Sequence, residues 1–190
     1  VMIMTDQDHD GSHIKGLIIN AIHYLCPSLV NIPGFFTAMI TPIMKIKKGL
    51  TSHDFYTLTD FEDWKENNSM TGWGVKYYKG LGTSTADEAK EYFKHLDRHV
   101  VTYTWDSQSE DNLLLAFKKE NADKRKEWIL DGIERNEVIE YGKETNISFP
   151  DFINKDLIHF SIADCDRSIP HIMDGFKPSQ RKTIFAMRKK

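Results

Sequence analysis

The sequence predicts an α/β fold on three grounds. A short apolar run over residues 1–4 ends in Asp6, Asp8 and Asp10 at every second position, the pattern of a buried strand opening into a polar turn. Ile14, Leu17, Ile18, Ala21, Ile22 and Leu25 then recur at helical spacing. Further β-rich runs and amphipathic segments alternate along the remaining chain.

The elements follow in order. Asp10-Gly11-Ser12 supplies a helix start, with Gly11 for the turn and Asp10 or Ser12 as the capping side chain. The helix should end at Cys26, because Pro27 disfavours helical geometry in the residue before it. After the Pro33-Gly34 turn, residues 35–47 alternate as one strand, with Thr41-Pro42 marking an edge or a bulge. Residues 54–58 read as a short strand, and Thr59-Asp60 as the cap of a helix carrying Phe61 and Trp64. The acids Asp54, Asp60, Glu62, Asp63 and Glu66 follow no strand end and read as a solvated face. Residues 74–79 form a strand entering Lys79-Gly80-Leu81-Gly82-Thr83-Ser84, where two glycines let the backbone approach an anion or another backbone closely. Ser84 with Asp87, or Thr85 with Glu88, makes a capping box for a helix over residues 86–96, with Ala89, Tyr92, Phe93 and Leu96 on its packing face.

Residues 100–105 are β-rich, and residues 111–117 and 122–130 read as helices. Residues 134–147 are polar and carry Gly142, which suits a segment crossing between domains. A second helical unit opens at Asp151 and packs through Phe152, Ile153, Leu157, Ile158 and Phe160; residues 164–167 read as a turn. Pro178 stands at the first turn of a last helix that runs on to Lys189.

Composition narrows the function classes. With 40% hydrophobic and 28% charged residues the chain reads as soluble and globular, and no apolar run approaches the ~20 residues of a membrane span. Cys26 and Cys165, widely separated, suit free thiols in a reducing compartment better than a disulfide framework or a zinc site. A start inside a strand and without Met predicts a piece of a longer protein. The net charge of −3 hides a basic stretch: residues 167–190 hold seven basic residues (Arg167, Lys177, Arg181, Lys182, Arg188, Lys189, Lys190) against the single acid Asp174. Such a concentration of cations beside helix signals is what a phosphate backbone requires.

The chemistry is expected at the first turn. Carboxylates converging at a strand end repel one another unless a cation sits among them, and hard oxygen ligands select Mg²⁺ or Mn²⁺. Asp6, Asp8 and Asp10 are the candidate metal ligands, Asp10 having the helix cap as its competing role. Calcium is disfavoured, since Leu17 stands where an EF-hand loop needs glutamate. His9 and His13 either orient a carboxylate or phosphate or are structural.

Residues 1–16 closely resemble the acidic strand-turn-helix of the Toprim domain of type IIA DNA topoisomerases, in their eukaryotic and viral form. The resemblance returns at Tyr77-Tyr78-Lys79-Gly80-Leu81-Gly82-Thr83-Ser84 and at Ala116-Phe117 with Ala122-Asp123-Lys124-Arg125-Lys126-Glu127-Trp128. It returns again at Arg167-Ser168-Ile169-Pro170 with Asp174-Gly175-Phe176-Lys177-Pro178-Ser179-Gln180-Arg181-Lys182. Relatives commonly have glycine where Ser179 stands. The resemblance implies a Toprim fold, a Rossmann-like parallel sheet flanked by helices, with the C-terminal part of that domain and its extension over residues 1–130. A linker at 131–150 and the α-helical start of a winged-helix DNA-binding domain at 151–190 follow from it.

By the same resemblance Arg167, Lys177, Gln180, Arg181 and Lys182 would hold duplex phosphates, with Lys79, Gly80 and Gly82 near the DNA and the acidic site. The implied protein is an ATP-dependent type II DNA topoisomerase, a Mg²⁺-dependent homodimer, nuclear or, if viral, cytoplasmic. Its ATP would be bound by another domain and its nucleophilic tyrosine would lie beyond Lys190, so no catalytic residue is expected here and the chain alone should be inactive. The alternatives are another Toprim-fold metal-dependent nuclease or primase, and a non-catalytic binding or assembly module.

Overall fold

A computed structural model describes residues 1–189, apart from the side chains of residues 58 and 59. Strand β1 (Met2–Ile3) leads through the acidic turn into helix α1 (His9–Leu25) and the short α2 (Pro27–Val30). Strand β2 (Thr37–Met39) returns parallel to β1, so α1 is the crossover that a parallel pair requires. Strands β3 (Met44–Lys48), β4 (Thr51–Phe55) and β5 (Gly74–Tyr77) follow, with α3 (Leu58–Asn67) between the last two. Next come α4 (Ala86–Lys94), β6 (Val100–Thr104), α5 (Ser109–Phe117), α6 (Ala122–Arg135) and β7 (Asn146–Ser148). The chain closes with α7 (Phe149–Phe152), a π turn (Ile153–Leu157), α8 (Ile158–Ser168) and α9 (Pro178–Arg188).

The main sheet has the order β1-β2-β6-β7, and a second, antiparallel sheet has the order β4-β3-β5. The α/β expectation holds, with a mixed sheet: β1 with β2 and β6 with β7 are parallel, whereas β2 and β6 run antiparallel. Ile19, Phe36, Ala38, Val101, Leu113, Ile147, Phe149, Phe152 and Leu157 form one buried cluster that joins sheet and helices. Fully burying each large aliphatic or aromatic side chain stabilises by roughly 1.5–3 kcal/mol. Within the stretch 131–150, Ile139 and Ile147 belong to this same cluster. Cys26 and Cys165 are free thiols, and among the described residues no helix is long and apolar enough to cross a membrane.

Several local expectations need correction. The single strand over 35–47 is two strands in different sheets, because Pro42 between them has no N–H to give a ladder. The helix starts at His9 rather than Ser12, and its cap is Asp8, whose carboxylate accepts from the Gly11 N–H at 2.8 Å. Thr57, not Thr59, caps α3, accepting from the Asp60 N–H. Phe93 points outward from α4, and residues 164–167 stay helical to the end of α8.

The apolar stripe of α1 is the largest surprise. Ile14, Leu17 and Leu25 are exposed, whereas Gly11, Ser12, Lys15, Gly16 and Ile19 are buried. The buried face is built of small residues because α1 approaches its neighbours closely there. A Cβ on Gly16 would lie 2.9 Å from Phe117 and 3.4 Å from Leu157.

Candidate functional site

The site is built where β1 ends. Gln7 donates from Nε2 to the Met39 carbonyl at 3.1 Å and so ties the acidic turn to the end of β2. Gly11 lies against the backbone of Asp6, where any Cβ would collide with the Asp6 carbonyl oxygen. The turn is therefore held at both ends before any carboxylate acts. Asp6, Asp8 and Asp10 are all exposed, and each is engaged differently.

Asp6 meets the Lys79–Ser84 loop. The Leu81 N–H donates to Asp6 Oδ1 at 2.7 Å, and a Cβ on Gly80 would stand 2.5 Å from Asp6 Cγ. Gly80 thus makes room for a carboxylate, and the next amide fixes it. Residues Leu81–Thr83 form a 3₁₀ turn, and Thr85 with Glu88 forms the capping box that starts α4. Glu88 also accepts from Lys76 Nζ at 2.7 Å and Tyr78 Oη at 2.5 Å, which anchors the loop to β5 from below.

That anchor should titrate. Burial raises the Glu88 pKa, but hydrogen bonds from Lys76, Tyr78 and Thr85 outweigh it and hold the group at about 2. A folded pKa below the unfolded value near 4.3 gives stability that is complete above about pH 4.3 and is lost as pH falls toward about 2. Glu88→Gln is expected to lessen the acid-side slope in urea midpoints measured from pH 5 to 2.5; an unchanged slope would place the titration elsewhere.

Asp8 caps α1 through Oδ1, and among the described residues its other oxygen, like that of Asp6, takes no hydrogen bond. Asp10 is taken up wholly: Arg167 Nη2 donates to its Oδ1 at 2.6 Å and Nη1 to its Oδ2 at 3.0 Å. The hydrogen bonds from Arg167 hold the Asp10 carboxyl below the usual range. Arg167 also donates from Nε to Asp164 at 3.1 Å and lies over the Phe160 ring, which stacks on His13 at 3.9 Å. His13 is thus part of an aromatic platform, and His9 lies 6.1 Å from the ring of His159. Among the described residues no three His, Cys, Asp or Glu side chains stand together as a metal site. What the turn offers a divalent ion is a pair of hard carboxylates, Asp6 and Asp8, each with a free oxygen, and this donor type suits Mg²⁺.

The cationic segment is partly self-paired. Arg181 is bound by both oxygens of Asp174 at 2.8 Å, and the Gln180 side-chain oxygen accepts from the Lys177 N–H at 2.9 Å. Lys177 is half-buried at the cap of α9, whereas Lys79, Gly82 and Lys182 are exposed. Lys190 lies outside the described residues. The structure joins Arg167 to the acidic turn, and Gly80 to Asp6. It leaves α9 connected to them through the turn after α8.

The fold and this site define the class. Residues 39–165 match the family model described as the C-terminal associated domain of TOPRIM, and the chain belongs to that family. Over its whole length it is also similar to eukaryotic DNA topoisomerase 2. It is 52% identical to a probable DNA topoisomerase 2 of Dictyostelium discoideum and 46% identical to DNA topoisomerase 2-beta of Homo sapiens, with all of this chain covered in each case. It spans only 12% of either protein. A crystal structure of the DNA-binding, cleavage and re-ligation domain of Plasmodium falciparum topoisomerase II superposes with a TM-score of 0.87 at 47% identity, covering 99% of this chain and 26% of that one.

Proposed function

We propose that this chain is the part of an ATP-dependent type II DNA topoisomerase that holds the metal and the cut duplex during double-strand cleavage and religation. The observation that carries the reading is the Arg167 fork on Asp10, which puts a phosphate-type cation on the acidic turn itself. All four motifs of the topoisomerase pattern occur in order, and this favours it over another Toprim-fold nuclease or primase, which would share only the acidic strand end. Bound Mg²⁺, or Mn²⁺ in its place, would supply positive charge to the oxygens of the scissile phosphate. Asp6 and Asp8 would hold it, with the Leu81 amide fixing Asp6 and the Gly11 amide fixing Asp8.

Arg167, Lys177, Gln180, Arg181 and Lys182 would contact duplex phosphates, which positions the DNA without reading its sequence. Residues 131–150 would mark a functional division between the Toprim part and the winged-helix start. ATP, the nucleophilic tyrosine and most of a homodimer contact would lie in other parts of a nuclear protein.

The test is relaxation of supercoiled DNA by the whole protein. Asp6→Ala and Asp8→Ala are expected to abolish it, and wild-type activity in both would overturn the reading. Lys182 makes no ion pair among the described residues, so Lys182→Ala should weaken DNA binding on every sequence alike. The slope of log affinity against log salt should then fall by about 0.9, one phosphate contact's worth; an unchanged slope would remove Lys182 from the interface.

A further inference from the structure

Beneath the acidic turn lies a buried ionic cluster that the metal and DNA roles do not use. Lys15 of α1 is 2% exposed, and its Nζ donates to Asp156 Oδ2 at 3.1 Å. Tyr141 Oη donates to the same oxygen at 2.6 Å, and Ser12 Oγ to Asp156 Oδ1 at 2.7 Å. Lys15 Nζ also sits 5.4 Å from the Tyr141 ring and 5.7 Å from the Phe152 ring. Every charge here is matched.

The cluster is not what packing alone would select. An apolar pair of similar volume, placed between α1 and the π turn, would be at least as stable as two desolvated charges. What a buried ion pair adds in some folds is specificity of register, since only one arrangement satisfies both charges. Asp156, Leu157 and Ile158 turn inward in succession, which a regular helix with one packing face does not do. The π turn makes this possible, and such turns occur frequently at functional sites.

The register that is fixed is that of the candidate metal ligand. Ser12 Oγ is shared between Asp156 and the Asp8 carbonyl, at 2.7 and 3.3 Å, so Asp156 reaches Asp8 through one hydroxyl. Asp8 and Asp156 also line the same cavity of about 370 Å³. We infer that Asp156, acting through Ser12 and Lys15, is a positioning residue that sets the acidic turn against the helix carrying Arg167. The inference rests on the reading of Asp6 and Asp8 as metal ligands.

Its test is Mn²⁺ affinity, read by EPR of the whole protein beside its melting temperature and its DNA affinity. Ser12→Ala removes only the tie, and Lys15→Met with Asp156→Leu replaces the pair without stranding a charge. Both are expected to stay folded, with a lowered melting temperature, and to keep wild-type DNA affinity, while binding Mn²⁺ about tenfold more weakly, as loss of an outer-shell partner does. A folded Ser12→Ala protein with wild-type Mn²⁺ affinity overturns the inference, even if the double variant does not fold. If the wild type and Asp6→Ala bind Mn²⁺ equally, the metal reading itself fails and the inference goes with it. Loss in Asp6→Ala with none in Ser12→Ala sinks the positioning role alone.

Discussion

A Gly80→Ala protein is expected to bind Mn²⁺ about 10–100-fold more weakly while keeping its fold. The new methyl group would stand 2.5 Å from Asp6 Cγ and Oδ1 and 2.6 Å from Oδ2, so the carboxylate must leave its place beside the Leu81 amide. The fold should survive because what moves is the end of an exposed side chain. The backbone at Gly80 is fully extended (φ 178°, ψ −177°), a conformation alanine adopts without strain. Gly11→Ala is the contrast. Its methyl group, in the first turn of α1, would meet the backbone carbonyl of Asp6 in the preceding loop, and the whole turn would have to shift. EPR titration with Mn²⁺ and thermal melting of both variants check this. A Gly80→Ala protein with wild-type affinity would show that the Asp6 carboxylate is not where the ion binds.

The role of Gly80 also marks where sequence reading stops. The acidic run, the Lys79–Ser84 loop and the basic stretch were each legible, since each carries local chemistry in a few consecutive residues. What they do to one another was not: Asp6 and Leu81 are 75 residues apart, and Asp10 and Arg167 are 157 apart. Local rules also misplaced the first cap. Asp8, Asp10 and Ser12 are all good caps, and the choice among them was settled by Gly11, whose missing side chain lets the helix begin hard against Asp6. The face of α1 was hidden for a related reason. Ile14, Leu17 and Leu25 carry the hydrophobic signal, but the face that packs is the one with glycines and Ser12, because close approach needs small residues more than apolar ones. A lysine midway along that small-residue face was the available hint of an ionic cluster.

Lys15→Ala should cost about 3–5 kcal/mol of stability at neutral pH, the effect of stranding one half of a buried ion pair. Burial works against both charges. Yet Lys15, Tyr141 and Ser12 hold the Asp156 carboxyl below its ordinary pKa, and Asp156 holds Lys15 above its own. The signs fix the pH window. A depressed Asp156 pKa contributes stability that is complete above the unfolded value near 3.9 and is lost as pH falls through the lower folded value. A raised Lys15 pKa contributes stability that is complete below about 10.4 and is lost as pH rises through the higher folded value. The pair is therefore intact from about pH 5 to 10, and the cost of Lys15→Ala should be flat in that range wherever the stranded Asp156 of the variant stays ionised.

Below it the cost should shrink. Without Lys15, burial of a side chain only 13% exposed pushes the Asp156 pKa upward, so the stranded carboxylate can take a proton before the protein unfolds. Urea unfolding at pH 7 and pH 4 separates this from simple loss of packing. A cavity left by the lysine stem destabilises equally at both values, whereas a stranded charge is relieved at the lower one. Equal losses at pH 7 and pH 4 would mean that α1 is held to the π turn by packing and not by charge.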